Sequence, residues 1–228
     1  MISVSDKIWA EHKVNKNLIE KFKQDYSFGD ILSKLIISRN YDSSEIYGIN
    51  NKQKLINIFK EDKDFQKASQ ILLKAINNNE NICILGDYDV DGTCATSLLV
   101  RYFNHINQKH FFYIPNRIED GYGASKKLFQ KLILKKPELI IMVDCGSTSN
   151  EAIDYLNKNN IKSIIIDHHE INKPYPKSNS IINPKKESNN KESSLLCATA
   201  ITYFFIETII QKTKSNFRID YFLIFVYY

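Results

Sequence analysis

The sequence predicts an α/β fold, a mainly parallel five-stranded sheet with helices on both faces, preceded by a helical N-terminal region. Two observations predict it. From residue 80 onward, short apolar runs alternate with stretches of helical periodicity, as in a parallel sheet covered on both faces. Each of the first four runs is also followed at once by polar or charged residues, so the strands' carboxyl ends form one chemical edge.

In chain order, residues 1–79 form the helical region. Leu18, Phe22 and Tyr26, then Ile31, Leu32, Leu35 and Ile36, recur at three- and four-residue steps, and Ala68, Ile71, Leu72, Ala75 and Ile76 repeat the pattern before three asparagines. Residues 80–228 form the sheet domain. The expected strands are 81–86, 110–114, 138–143, 162–166 and, more weakly, 180–183. The expected helices are 93–103, 125–134, 149–159 and 195–212. Five of the seven glycines fall in the loops after these strands, where a backbone turns tightly or approaches a ligand.

Composition narrows the function class. At 228 residues, 43% hydrophobic and 25% charged, the chain is an ordinary globule that needs no disulfides. Its four cysteines form no CxxC pair, which argues against a zinc knuckle and suits a reducing cytoplasm. The N-terminus has no apolar core behind its charges, so it does not read as a signal peptide. The apolar runs 195–210 and 219–228 hold Glu207 and Asp220 and fall short of the ~20 residues of a membrane span, so no membrane partner is expected. A net charge of +5 permits a nucleic-acid partner without arguing for one.

The chemistry lies after the strands. In Gly86-Asp-Tyr-Asp-Val-Asp-Gly92, the carboxylates Asp87, Asp89 and Asp91 stand at alternate positions. On an extended chain they share a side, a concentrated anionic surface suited to a divalent cation. A merely solvated acidic turn is the plainer reading. An EF-hand fails, because its twelfth position would be Leu98 and strands flank the loop. Asp144 ends the third run beside Cys145-Gly146, and Asp167-His168-His169 ends the fourth. A neutral imidazole ligates Mn²⁺ well, a neighbouring carboxylate can orient its ring, and the second histidine can face a phosphate. About five carboxylates and two imidazoles suffice for two divalent cations about 3.5–4 Å apart, Mn²⁺ favoured by the mixed ligands and Mg²⁺ the alternative. Asn116 and Arg117 follow the second strand; a guanidinium there either clamps a phosphate or makes a structural salt bridge.

These motifs resemble the DHH phosphoesterase superfamily, and within it the RecJ-type single-strand-specific exonucleases. The resemblance rests on GDYDVDGTCA at 86–95, YIPNRIEDGYG at 113–123, VDCG at 143–146 and IDHHE at 166–170. Weaker echoes are Trp9, Ile182-Asn183-Pro184 and Leu196-Cys197-Ala198. The resemblance implies a manganese- or magnesium-dependent nuclease that degrades single-stranded DNA from its 5′ end in repair and recombination. It places Asp87, Asp89, Asp91, Asp144 and His168 on the metals, with Asp144 bridging and catalytic. His169 is catalytic and touches the scissile phosphate, and Asn116 and Arg117 bind DNA. Two departures stand against it. The superfamily's further metal-binding aspartate lies beyond the helix near Leu195, and Asp220 falls too early for it. Full RecJ enzymes also continue into a second domain and an OB-fold. The expectation is therefore an incomplete, C-terminally truncated form, whose activity alone is open and which a downstream chain would complete. A non-catalytic fragment or scaffold that binds metal and a partner is the alternative. A phosphodiesterase for oligonucleotides or cyclic dinucleotides is weaker, because it lacks the PNR loop.

Overall fold

The computed structural model describes residues 8, 10, 12–50, 56–121, 123–186 and 193–220. Trp9, Tyr122 and the apolar tail 221–228, all used in the sequence reading, lie outside them. Two compact units divide the chain, one ending at Ile56 and one starting at Asn57.

The first unit contains α1 (Lys16–Tyr26), α2 (Asp30–Ser38) and α3 (Ser43–Asn50). Asn15 caps α1 by accepting from the Asn17 amide at 2.9 Å. A small core of Phe28, Ile36 and Ile46, flanked by Phe22 and Tyr26, holds the unit together. Helix α3 was not foreseen, although its start carries a reciprocal cap. Asp42 accepts from the Ser44 and Glu45 amides, and Glu45 accepts from the Asp42 amide at 2.7 Å.

The second unit opens with α4 (Lys63–Asn77), capped by Asp62 on the Phe65 amide. Phe65, Ala68, Leu72 and Ala75 are completely buried, and α4 packs against the sheet's last strand and last helix. The sheet unit thus begins at Asn57, upstream of the residue-80 boundary drawn from the sequence, because α4 spends its apolar face there.

The sheet is parallel throughout, in the order β2-β1-β3-β4-β5. Its strands are β1 (Ile82–Gly86), β2 (His110–Tyr113), β3 (Leu139–Val143), β4 (Lys162–Ile166) and β5 (Ser180–Ile182). Between and after them run α5 (Val90–His105), α6 (Lys126–Leu132), α7 (Asn150–Lys158) and α8 (Ala198–Thr213). Strands β1 and β3 are buried at every residue, which is why they read as unbroken apolar runs. Cys83, Leu85, Ile140, Met142 and Ile165 pack with Leu128 and Phe129 of α6 and Ile153 and Leu156 of α7. The alternate residues face the other side, where α4, α5 and α8 lie.

Helix α8 buries ten of its 16 residues, so its all-round hydrophobicity is that of an interior helix. Among the described residues no helix is long and apolar enough to cross a membrane.

This strand order fixes where a ligand can bind. The chain leaves β1 toward β2 and then returns to the other side of β1 for β3. A crevice therefore opens at the carboxyl ends of β1 and β3, the topological switch point. Asp87 follows β1 and Asp144 follows β3.

Candidate metal centre

The acidic loop does not continue as a strand. Strand β1 stops at Gly86, and α5 begins at Val90, three residues earlier than the sequence suggested. Asp89 is the reason: it is the N-cap of α5 and accepts from the Gly92 amide at 2.9 Å. Asp87 is buried and accepts from the Tyr88 amide at 2.8 Å. The expected alternation is thus replaced by a strand end, a cap and a first helical turn. Asp87, Asp89 and Asp144 nevertheless converge, with one oxygen from each inside a 4.8 Å cluster. Two ligands on opposite sides of one ion with bonds of about 2.0–2.3 Å lie up to about 4.6 Å apart, so the spread is of the right size.

Asp144 is the pivot. It is 1% exposed, adopts a left-handed φ of 59°, and donates its amide to the Ile166 carbonyl at 2.9 Å. Left-handed backbone is tolerated by Asp more than by most residues, and such outliers gather at functional sites. His168 Nε2 approaches Asp144 Oδ1 at 3.3 Å, but without hydrogen-bond alignment, so neither carboxylate oxygen has a donor. Burial pushes this carboxyl up to about 6. A buried carboxylate without donors is costly unless a cation compensates it. Asp144 also belongs to a second cluster with His168 and His169, again within 4.8 Å. The donor sets are thus of a kind that suits a divalent cation, and Asp144 is common to both.

The two histidines differ. His168 Nε2 lies between Asp144 and Asp91, at 3.3 and 3.5 Å, and Asp144 raises its pKa. His169 Nδ1 is bound to Asp167 Oδ1 at 2.8 Å, a bond that raises its pKa to about 9. With Nδ1 committed as a donor, that nitrogen does not serve a metal, although it lies 3.8 Å from Asp144. Asp167 is buried and also receives the backbone amides of His168, His169 and Ser147. Burial alone would raise its pKa, but these hydrogen bonds overcome it and hold the carboxyl at about 2. Asp167, the first letter of the motif, is thus the anchor of the loop. The sequence reading noted that a carboxylate can orient a ring but did not place Asp167 among the site residues.

Asp91 has another engagement. Its two oxygens accept from the Ala198 and Thr199 amides at 2.7 Å each, and its carbonyl accepts from Thr199 Oγ1 at 2.9 Å. It therefore caps the N-terminus of α8, where its charge also suits the helix dipole. It stands beside the second cluster through His168 but outside both ligand groups. Asp220 is exposed and forms a two-pronged pair with Arg218, at 2.7 and 2.9 Å.

The loop after β2 is folded on itself. Asn116 Oδ1 accepts from the Ile118 amide, so this side chain shapes the turn. Asp120 fastens the loop by accepting from Tyr113 Oη, the Asn116 amide and Lys131 Nζ at 2.6, 3.1 and 2.8 Å. The Arg117 guanidinium lies 5.6 Å over the Tyr88 ring, and among the described residues it makes no ion pair. Lys131 and the other donors hold the Asp120 carboxyl down to about 2. A depressed folded pKa gives stability that is complete above the ordinary carboxylate value and is lost as pH falls through about 2. The loop should therefore stay fastened in mild acid. Asp120→Ala should speed amide exchange at Asn116 at neutral pH, since that amide loses its acceptor; unchanged exchange would show that Asp120 does not fasten the loop.

A cavity of about 130 Å³ opens beside His169, walled by residues 145–149 and by Gly123 and Ala124. It is too small for a whole nucleotide and large enough for a phosphate-sized group. No motif in the sequence pointed to it. A larger hollow of about 810 Å³ lies in the N-terminal unit, lined by lysine and aliphatic side chains with His12 and Ser38, and by no carboxylate among the described residues.

The family model for the DHH family, N-terminal domain, matches residues 81–226. The single-stranded-DNA-specific exonuclease RecJ of Dickeya dadantii is 30% identical over 153 residues, 67% of this chain and 26% of that protein. The RecJ of Bacillus subtilis is 26% identical over 180 residues, 78% of this chain and 23% of that protein. The chain thus spans about a quarter of the length of these relatives. Among solved structures, exonuclease RecJ bound to manganese matches with a TM-score of 0.63 at 25% identity, over 71% of this chain and 40% of that one. RecJ from Thermus thermophilus in complex with Mn²⁺ shows the same fold, with a TM-score of 0.66 at 19% identity, over 88% of this chain and 28% of that one. With the family model covering the whole sheet and every strand-end motif, the chain belongs to the DHH family.

Proposed function

We propose that this chain is a RecJ-like nuclease that hydrolyses phosphodiester bonds of single-stranded DNA from the 5′ end, in DNA repair and recombination. The observation that carries the reading is Asp144, a buried carboxylate without donors that is shared by two ligand clusters. Asp87, Asp89 and Asp144 would hold one divalent cation. Asp144 and His168 would hold a second, with Asp91 beside them. Mn²⁺ is favoured by the mixed oxygen and nitrogen donors, and Mg²⁺ is the alternative. When bound, such a pair supplies Lewis-acid charge at the phosphate and lowers the pKa of the attacking water.

The chain's own residues supply the rest. Asp167 keeps the His169 ring fixed and protonated at neutral pH. Nε2 then offers a positive charge and a proton to a phosphate oxygen. Arg117 would clamp a phosphate of the strand with its planar fork, while Asn116 sets the turn that carries it. The four cysteines are free thiols, as a cytoplasmic protein keeps them.

The test is nucleotide release from 5′-labelled single-stranded DNA in Mn²⁺. Release should require the cation, be poor on duplex or 3′-labelled DNA, and vanish in Asp144→Ala. Cation-independent release, or release that survives Asp144→Ala, would overturn the proposal. No release, with intact Mn²⁺ binding, would favour the non-catalytic alternative.

A further inference from the structure

Four side chains and backbone groups form a closed ring of hydrogen bonds around His169. Asp167 takes His169 Nδ1 at 2.8 Å and the Ser147 amide at 3.0 Å. Asn183 Nδ2 donates to Ser147 Oγ at 2.8 Å and to the His169 carbonyl at 2.9 Å. Asn183 Oδ1 accepts from the Lys185 amide at 2.9 Å, which bends the chain after β5. The two donors and the acceptor of this amide are therefore all in use. Asn183 is 8% exposed and Ser147 2%, so water competes little for these bonds.

The ring joins segments far apart in sequence. Ser147 follows β3, Asp167 and His169 follow β4, and Asn183 follows β5. Asp167 holds the imidazole and the backbone amide of His169 from one side, but it makes no contact with the His169 carbonyl on the other. Asn183 holds that backbone at its carbonyl and ties it to the loop that walls the 130 Å³ cavity. A shift of either loop would change how the ring faces the cavity.

We infer that Asn183 is a positioning residue for His169, acting through the His169 carbonyl and the Ser147 hydroxyl without touching substrate or metal. The inference deepens the proposed nuclease reading and rests on it for the catalytic consequence. Its structural core can be tested without turnover. Asn183→Ala removes both donors. Ser147→Ala removes one acceptor and keeps the Ser147 amide on Asp167, so it is the milder variant should Asn183→Ala fold poorly.

Two measurements decide. In metal-free protein labelled with ¹⁵N-histidine, the His169 Nδ1 proton held by Asp167 should give a protected downfield signal. That signal should broaden or vanish in Asn183→Ala and weaken in Ser147→Ala. In Mn²⁺ with single-stranded DNA, kcat should fall about 10–100-fold, the range typical when a partner that orients a site residue is lost. KM and Mn²⁺ affinity should change little, because the carboxylate ligands are not in the ring. An unchanged signal, or equal losses of kcat, KM and Mn²⁺ affinity that follow a lowered Tm, would overturn the inference and leave Asn183 a general structural staple. If wild type releases no nucleotide, the nuclease reading fails while the histidine signal still decides the positioning claim.

Discussion

Asp144→Asn should make the metal-free protein more stable and at the same time abolish its response to Mn²⁺. Asp144 is 1% exposed and neither oxygen has a hydrogen-bond donor. The ionised group therefore bears most of the cost of burial, and its pKa is pushed up to about 6. For a carboxyl raised in the folded state, the unfolded chain gives up its proton first. The destabilisation begins as pH rises past the ordinary carboxylate value and is complete above about 6. An amide of the same shape is neutral at every pH and, like Asp, tolerates the left-handed φ of 59°. The gain above pH 6 should be on the order of 1–3 kcal/mol, the usual penalty of an unsatisfied buried polar group. His168, 3.3 Å away, recovers part of this cost in the wild type, which places the expectation at the lower end. The measurement is Tm at pH 7.5 in EDTA and in Mn²⁺. Wild type should gain Tm with the cation, and Asp144→Asn should start higher and gain nothing. A variant that melts lower in EDTA and still gains Tm with Mn²⁺ would remove Asp144 from the centre of the site.

Stability given up at one residue for a cation is legible from the sequence only in part. The strands were readable because parallel strands buried on both faces leave unbroken apolar runs, and β4 matches its expected bounds at Lys162 and Ile166. The strand-end carboxylates were readable because strand order brings those ends to one edge. Contacts between distant segments were not readable. Asp91 was read as a metal-site carboxylate like Asp89; that its oxygens also meet amides 107 and 108 residues away is a second role no local pattern showed. The start of α5 was misplaced because Asp89 was read as an anionic group and not also as a cap. Asn183 echoed a family motif without a role, since its partners lie 36 and 14 residues away. Asp167 did carry a local signal: a carboxylate at a strand end followed by two histidines can receive their amides as well as orient a ring.

Gly92→Ala should disable the site through a residue that is not itself a ligand. In an open helix position this change would stabilise the fold, because Ala is favoured over Gly by about 1 kcal/mol. Gly92 lies in the first turn of α5, and a Cβ there would stand 2.6 Å from both the amide nitrogen and the carbonyl oxygen of Asp87. These are backbone atoms, with no flexible side chain to move aside. Either the Asp87 loop or the first turn of α5 must shift, and that turn includes the Asp89 cap bond to the Gly92 amide. Overpacking of this kind costs on the order of 3 kcal/mol at the upper end of its usual range. The clash therefore outweighs the helix gain, and a net loss of about 2 kcal/mol is expected. The larger effect is on the metal, since Asp87 and Asp89 both sit on the displaced segment; Mn²⁺ affinity should fall more than tenfold. Gly121→Ala is the matched control. Its φ of 79° makes alanine strained, but nothing lies within 4 Å of the added carbon, so it should cost stability and spare Mn²⁺ binding. Titration of Mn²⁺ by electron paramagnetic resonance, with melting curves of both variants, separates the two effects. If Gly92→Ala binds Mn²⁺ like wild type, the close packing of the Asp87 loop on α5 is not what holds the first ligand cluster together.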